Sequence, residues 1–332
     1  MGLRNRHSDE VKNPSPSKSY RKISGASSSD DNEASNRQEK GVQERSTLIS
    51  ESRVFSRVVI VLTILTIAFL MKKEDHERTS GEITWVSHNA ISEDASQWVK
   101  CADDYSAEDR KTYEGCISER CGRLVTDQLV TEEEVDVLLS LAQKVMAKAG
   151  GSGGATIMDL HSGALSSGDK FVDLYQFQEI KELISEGDLQ TYVTVRQKVQ
   201  SRVASHFGVS PDLLHLTHPT FFSRLTSTKP VTPHDEYWHL HVDKETYDSF
   251  FYTSLVYLTD TGKDFGGGRF IFVDPDGQNR TVEPRRGRVS MFSSGSENKH
   301  LVEPVEWGTR FALTIAFTCD AKQGISDPTY RV

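Results

Sequence analysis

Apolar positions change their spacing three times along the chain, and each spacing predicts a different kind of structure. From Met1 to about Ser52 the sequence is rich in Ser, Asn, Lys and Glu with almost no aromatic residues. Such a composition cannot bury enough apolar surface to offset its ordering entropy, so residues 1–53 are expected to form a disordered tail. Val58 to Met71 is then a run of fourteen uncharged residues, VVIVLTILTIAFLM, between Arg57 and Lys72-Lys73. From Thr131, a Thr131/Glu134 capping box precedes Val135, Leu138, Leu139, Ala142, Val145 and Met146 at helical spacing. That helix runs out at Gly150-Gly151-Ser152-Gly153-Gly154, read as a C-cap and linker because no Lys-Ser/Thr follows to make a phosphate loop. A second helix is expected from Asp188, with Leu189, Tyr192, Val195, Val199 and Val203 inward, ending near Gly208. Beyond Leu214 the texture becomes short β-branched and aromatic runs between Pro, Asp-Gly and Gly-rich turns, which reads as an all-β sandwich or barrel with the helices supporting one side.

The apolar run is short for a membrane span. Fourteen residues cover about 21 Å of a roughly 30 Å hydrocarbon core, so Val54 and Phe55 must join it while Arg57 and the lysines snorkel. Nothing before it could pack on it as a core helix, and basic residues bracket both ends, which favours a membrane anchor. No small-residue cleavage site follows, so it reads as an uncleaved signal anchor. Basic residues are nearly balanced across the run. Every cysteine and the usable sequon Asn279-Arg280-Thr281 lie on its C-terminal side, whereas Asn13-Pro14-Ser15 is disabled by proline. The expectation is a single-pass type II protein with its C-terminal part in the secretory-pathway lumen and a glycosylation site at Asn279.

The implied layout is a cytoplasmic tail over 1–53, a transmembrane signal anchor over 54–73 and a cysteine-containing stem over 74–125. A helical support region over 126–210, a β core over 211–322 and a C-terminal tail over 323–332 follow. Charge sharpens this picture. Residues 1–57 carry eleven Lys and Arg against eight Asp and Glu, so in a chain of formal charge −9 the remainder carries −12. An acidic catalytic half argues against nucleic acid as the main partner. The four cysteines, Cys101, Cys116, Cys121 and Cys319, permit three disulfide pairings, among which sequence does not choose. No histidine or fourth cysteine stands at zinc-ribbon spacing around Cys116-x4-Cys121.

Chemistry concentrates between Tyr237 and Phe317. Residues two apart on a strand share a face, so His241 and Asp243 can reach one ion while Val242 faces the core, and His300 can complete the set if its strand lies beside theirs. Two imidazoles and a carboxylate on one face leave three positions open, the arrangement typical of Fe(II) oxygenases. His234-Asp235-Glu236 also fits a His-x-carboxylate pattern, and His239 could replace either partner. His241 and Asp243 are preferred because the strand and the Gly266-Gly267-Gly268 turn follow them directly, whereas His234 lies in a proline-flanked loop. In RFALTIAF, the residues Phe311, Leu313, Ile315 and Phe317 form one greasy face, opposite Arg310, Ala312, Thr314 and Ala316. An arginine projecting into a barrel needs an anion there, either an internal acid or a carboxylate held bidentately. A co-substrate carboxylate accounts better for the small neighbours.

The pattern His241-Val242-Asp243, then VYLTD, DFGGGRFIF, His300 and WGTRFALTIAF resembles the 2-oxoglutarate- and iron-dependent oxygenases, in their prolyl and lysyl hydroxylase branch. It covers about residues 215–320, with CGRLVTD, LHSGALS, PTFFSRL and HDEYWHLHVDK extending the likeness. The resemblance implies an α+β chain whose core is a double-stranded β-helix, or jelly roll, with iron held by His241, Asp243 and His300. It implies that Arg310 binds the distal carboxylate of 2-oxoglutarate, that Tyr257 shares that carboxylate and that Thr314 adds a polar contact. The Arg-x-Ser pairing of several relatives reads Arg310-Phe311-Ala312 here, which leaves the second carboxylate contact to Tyr257. Fe(II), 2-oxoglutarate, O2 and ascorbate are the implied small molecules, a protein or peptide the implied substrate, and hydroxylation of proline or lysine the implied reaction. Two readings compete with it. A catalytically silent jelly roll would serve as a membrane-tethered binding module, and a zinc hydrolase would accept the same ligands but give Arg310 no task.

Overall fold

A computed structural model of the protein describes residues 81–148, 153–168 and 170–329. The expected tail over 1–53 and membrane span over 54–73 lie outside the described residues, as do the first residues of the stem and most of the glycine linker. Among the described residues no helix is long and apolar enough to cross a membrane.

The described residues open with β1 (Glu82–Val86), β2 (Ala95–Val99), a short helix α1 (Ala107–Thr112) and β3 (Cys121–Thr126). Helix α2 (Glu132–Met146) leads to β4 (Ala155–Met158), β5 (Ala164–Ser167) and β6 (Lys170–Asp173), then to a single turn α3 (Gln178–Lys181) and the long helix α4 (Glu186–Phe207). Next come β7 (His215–Leu216), β8 (Phe221–Thr226), a one-turn helix α5 (Asp243–Thr246) and β9 (Tyr252–Tyr257). The last strands are β10 (Phe265–Gly267), β11 (Phe270–Val273), β12 (Asn279–Val282), β13 (Val289–Ser293), β14 (His300–Val302) and β15 (Val305–Thr318).

Two sheets face each other. The larger runs β2-β3-β13-β9-β15-β8-β4-β5-β6, with β7 and β10 also pairing β15, and the smaller runs β1-β12-β11-β14. Alternation along β15 divides the interior. Phe311, Leu313, Ile315 and Phe317 join the buried faces of α2 and α4 in one cluster, while Ala312 turns to the other side with Val125, Leu255, Tyr257 and Phe292 to meet Phe270, Phe272 and Val282 of the smaller sheet. The result is a sheet-rich mixed fold of jelly-roll type with helices on its outer face, as the resemblance implied.

Helix α2 starts where the capping box places it, Thr131 Oγ1 accepting from the Glu134 N–H at 3.3 Å and Glu134 Oε2 accepting from the Thr131 N–H at 2.9 Å. Its buried stripe includes Leu141 in addition to the expected residues, and Leu139 is only partly covered. Helix α4 begins earlier than Asp188 suggested, because Asp188 is the third residue of a second capping box whose cap is Ser185. It ends at Gly208, whose φ of 68° is left-handed and favours glycine.

Two expected boundaries do not hold. The stem is no stem: β3 lies inside the larger sheet between β2 and β13, and β1 pairs in parallel with β12 almost two hundred residues later. Nor is 126–210 only helical, since β4, β5 and β6 extend the same sheet beyond β8. The cysteines resolve into Cys101–Cys121 and Cys116–Cys319, with none left free, so they form no zinc site. The second bridge ties the segment before β3 to the end of β15 across a separation of 203 residues.

Candidate metal centre

His241, Asp243 and His300 come together, one nitrogen or oxygen from each lying within 4.8 Å of the others. Their backbone is not the expected pair of strands. His241 forms a lone antiparallel bridge with His300, and Asp243 opens helix α5 after Val242. The bridge and the helical turn still bring both side chains to one point, Asp243 being drawn inward by a hydrogen bond from Thr253 Oγ1 at 2.7 Å.

Each imidazole is held in the tautomer that a metal requires. His241 Nδ1 donates to its neighbour His239's carbonyl at 2.8 Å, and His300 Nδ1 donates to the carbonyl of Asn298, also at 2.8 Å. Both Nε2 atoms thus face Asp243 Oδ1, at 3.5 and 3.6 Å. The His300 ring lies almost parallel to Phe270 and edge-on to Phe292, and burial pushes its pKa down to about 4, keeping it neutral. Burial would raise the Asp243 pKa, but His300, His241 and the Thr253 hydroxyl outweigh it and hold the carboxyl ionised below the usual range. For His241 burial opposes the charge, and Asp243 with the His239 carbonyl reverses the sign, so its pKa is raised.

The trio sits in a cavity of about 390 Å³ that is also lined by Ser223, Tyr237, Leu255, Arg310 and Thr314. Arg310 is wholly buried, and its Nε and Nη2 have no hydrogen-bond partner. Burial lowers its pKa, and the groups that favour its charge are the phenols of Tyr257 and Tyr237, not an acid. A buried guanidinium left open toward a cavity is costly unless an anion enters. The glycine run has a physical reason here: at Gly268 (φ +62°) an added Cβ would lie 3.1 Å from Arg310 Cδ.

Thr314 lines the cavity as expected. Tyr257 does not: it lies behind the wall, its hydroxyl 3.2 Å from Ser290 Oγ and its ring 5.4 Å from the Arg310 guanidinium carbon. The sequence reading missed Tyr237, whose oxygen accepts from the Val305 N–H at 2.8 Å and so keeps its own proton free. It also missed Ser223, which sits directly across the strands from Ala312. Position four before His241 gives no local signal for the first, and only the β8–β15 register reveals the second. Among the alternative ligands, Asp235 is spent on the loop, accepting from the Val231 and Thr232 N–H groups, and His239 pairs with Glu236 at 2.8 Å. Asn279 opens β12, and the sequon's Thr281 is fully buried with its hydroxyl donating to Glu82, so a glycan could be attached only before this strand forms.

Two imidazoles that turn Nε2 to one carboxylate on one side of a cavity, with the other side open, suit a non-haem iron with exchangeable positions. The unpaired Arg310 suits a dicarboxylate reaching in from that metal. The chain belongs to the 2OG-Fe(II) oxygenase superfamily, whose family model matches residues 222–318. It is accordingly a 2-oxoglutarate- and Fe(II)-dependent dioxygenase, a family that uses Fe(II), 2-oxoglutarate and O2. It is 56% identical over 232 residues to the mouse 2-oxoglutarate and iron-dependent oxygenase domain-containing protein 3, spanning 69% of this chain and 73% of that protein. The human protein of the same name is 55% identical over 234 residues, 70% of this chain and 72% of the relative. Human prolyl 3-hydroxylase 1 is 28% identical over 230 residues, 62% of this chain and 29% of its own length. Among solved structures, a Trichoplax adhaerens prolyl hydroxylase in complex with a peptide fragment aligns with a TM-score of 0.43 at 14% identity, covering 67% of this chain and 97% of that one.

Proposed function

We propose that this dioxygenase hydroxylates a proline or lysine residue of a protein or peptide, that His241, Asp243 and His300 hold its iron, and that residues 54–73 anchor it in a membrane with the catalytic part in an oxidising lumen. The observation that carries the catalytic part of the reading is Arg310, a buried cation with unpaired donors in the same cavity as a His-Asp-His cluster. With 2-oxoglutarate and O2, bound iron supplies hydroxylation of a C–H bond coupled to release of succinate and CO2. The residues of the chain divide the rest of the work. Arg310 takes the distal carboxylate, Tyr237 and Thr314 offer hydroxyls along its path, and Leu225, Leu255, Phe270 and Val302 keep that end dry. Exposed Tyr247 and His239 stand at the rim, where a residue presented on a polypeptide can enter.

The peptide substrate is supported by the likeness to prolyl 3-hydroxylase 1, and the oxidising compartment by two disulfides that a reducing cytosol would oppose. The anchor rests on the apolar run alone. Purified protein, loaded with Fe(II) and ascorbate, should convert 2-oxoglutarate to succinate and add one oxygen to proline- or lysine-containing peptides from secretory proteins. Stoichiometric Fe(II) binding without any succinate release would instead favour the silent binding module.

A further inference from the structure

Arg123, in the CGRLVTD segment, is among the largest fully buried side chains and lies outside the cavity. From β3 it crosses to the smaller sheet, where its guanidinium carbon lies 4.2 Å from the centre of the Phe272 ring, and Phe272 is the direct strand partner of His300. Its Nε donates to Asn298 Oδ1 at 2.8 Å, and one Nη pairs with Asp274. The Asn298 carboxamide also donates to the Ser293 carbonyl at 2.8 Å and to Ser293 Oγ at 3.0 Å. The main-chain carbonyl of Asn298, not its side chain, is the acceptor that orients His300 Nδ1.

We infer that Arg123 is a positioning residue for the metal centre, fixing Asn298 so that His300 presents Nε2 at the correct angle and in the correct tautomer. This rests on the reading of His300 as a metal ligand. Two features favour it over a merely structural arginine. Asp274 is already paired with Arg280, so Arg123 is not needed to neutralise it. Arg123 Nη1 is buried with no partner, a cost that an apolar residue of similar volume would avoid. What that residue could not supply is the bond to Asn298.

The test uses the full chain with Mn(II) alone, titrated by electron paramagnetic resonance. Arg123→Met should weaken Mn(II) binding by about tenfold or more, the usual effect of removing an outer-layer partner. Arg123→Gln, which retains an N–H donor without the charge, should recover part of the loss and is the gentler change if the methionine variant folds poorly. Arg280→Met should leave Mn(II) affinity unchanged, because it touches Asp274 but not Asn298. At saturating metal the KM for 2-oxoglutarate should be the same in all of them. Folded Arg123 variants with unaltered affinity, or an equal loss in Arg280→Met, would overturn this role while leaving the metal site intact. Failure of the unchanged chain to bind Mn(II) would overturn the metal site and this role together.

Discussion

His241 and His300 form a reciprocal backbone pair, each donating its N–H to the other's carbonyl at 3.0 Å, with ring centroids 4.4 Å apart. Two candidate ligands almost sixty residues apart in sequence are thus fixed by main-chain bonds that do not depend on their side chains. Replacing a ring should remove a metal donor without undoing the pairing.

His241→Ala is the cleaner form of that experiment, since His241 is partly exposed whereas His300 is enclosed by phenylalanines. Succinate production should fall at least a hundredfold, while unfolding of the metal-free protein in urea shifts by less than about 1 kcal/mol. A variant with near-normal turnover would remove His241 from the ligand set. His300→Ala should cost about 2–5 kcal/mol besides, because it empties a packed site.

Arg310 invites a change that separates binding from folding. In the absence of co-substrate its guanidinium is buried and unpaired, so Arg310→Met should leave the protein as stable or gain about 1–4 kcal/mol. The same variant should lose the thermal stabilisation that 2-oxoglutarate confers on the metal-loaded protein. A clear loss of stability in the co-substrate-free state would mean that Arg310 is a structural cation with a partner elsewhere.

What could be read in advance follows from how local each signal is. The strand around Arg310 was legible because alternation of large and small residues directly reports two faces. Helix α2 was legible because its capping box and apolar stripe agree. Strand β3 was not, since all six of its residues are buried and a strand covered on both faces has no alternation to read. Arg123 and Arg288 compounded this: both are wholly buried yet look like surface residues in sequence, Arg288 being held by Asp127 and by carbonyls of Ser87, Asn89 and Glu283. The clustering of His241, Asp243 and His300 was legible although their local structure was not, because a strand and a bridge followed by a helical turn both direct residues two apart toward the same point.

The Cys116–Cys319 bridge closes most of the folded region into one loop. Loss of a cross-link spanning 203 residues should cost about 2–5 kcal/mol through the greater freedom of the unfolded chain. Cys116→Ser with Cys319→Ser should lower the unfolding free energy by that amount, read as a lower urea midpoint, and leave metal affinity near normal, since neither cysteine adjoins the candidate ligands. A midpoint unchanged by the double substitution would show that the bridge does not form in the native protein.

Glu297 carries a pH dependence whose sign can be worked out. It lies in the turn before His300, buried, accepting from Ser293 Oγ at 2.6 Å and from the Ala102 N–H at 3.2 Å. Burial, with Asp104 nearby, raises its pKa above 4.5 despite the hydrogen bonds from Ser293 and Ala102. The folded state therefore keeps a proton that the unfolded chain has already released, so stability is fully present below pH 4.5 and declines as pH rises through the folded value. Glu297→Gln cannot ionise, and its carboxamide oxygen can keep one of the two accepted bonds. Its unfolding free energy relative to the unchanged protein should therefore improve as pH rises from 4.5 through the folded value, and level off above it, in urea titrations of the metal-free protein. A difference that stays flat over that range would show that Glu297 ionises as easily in the folded protein as in the unfolded chain, and that the turn bearing Asn298 tolerates the charge at no cost.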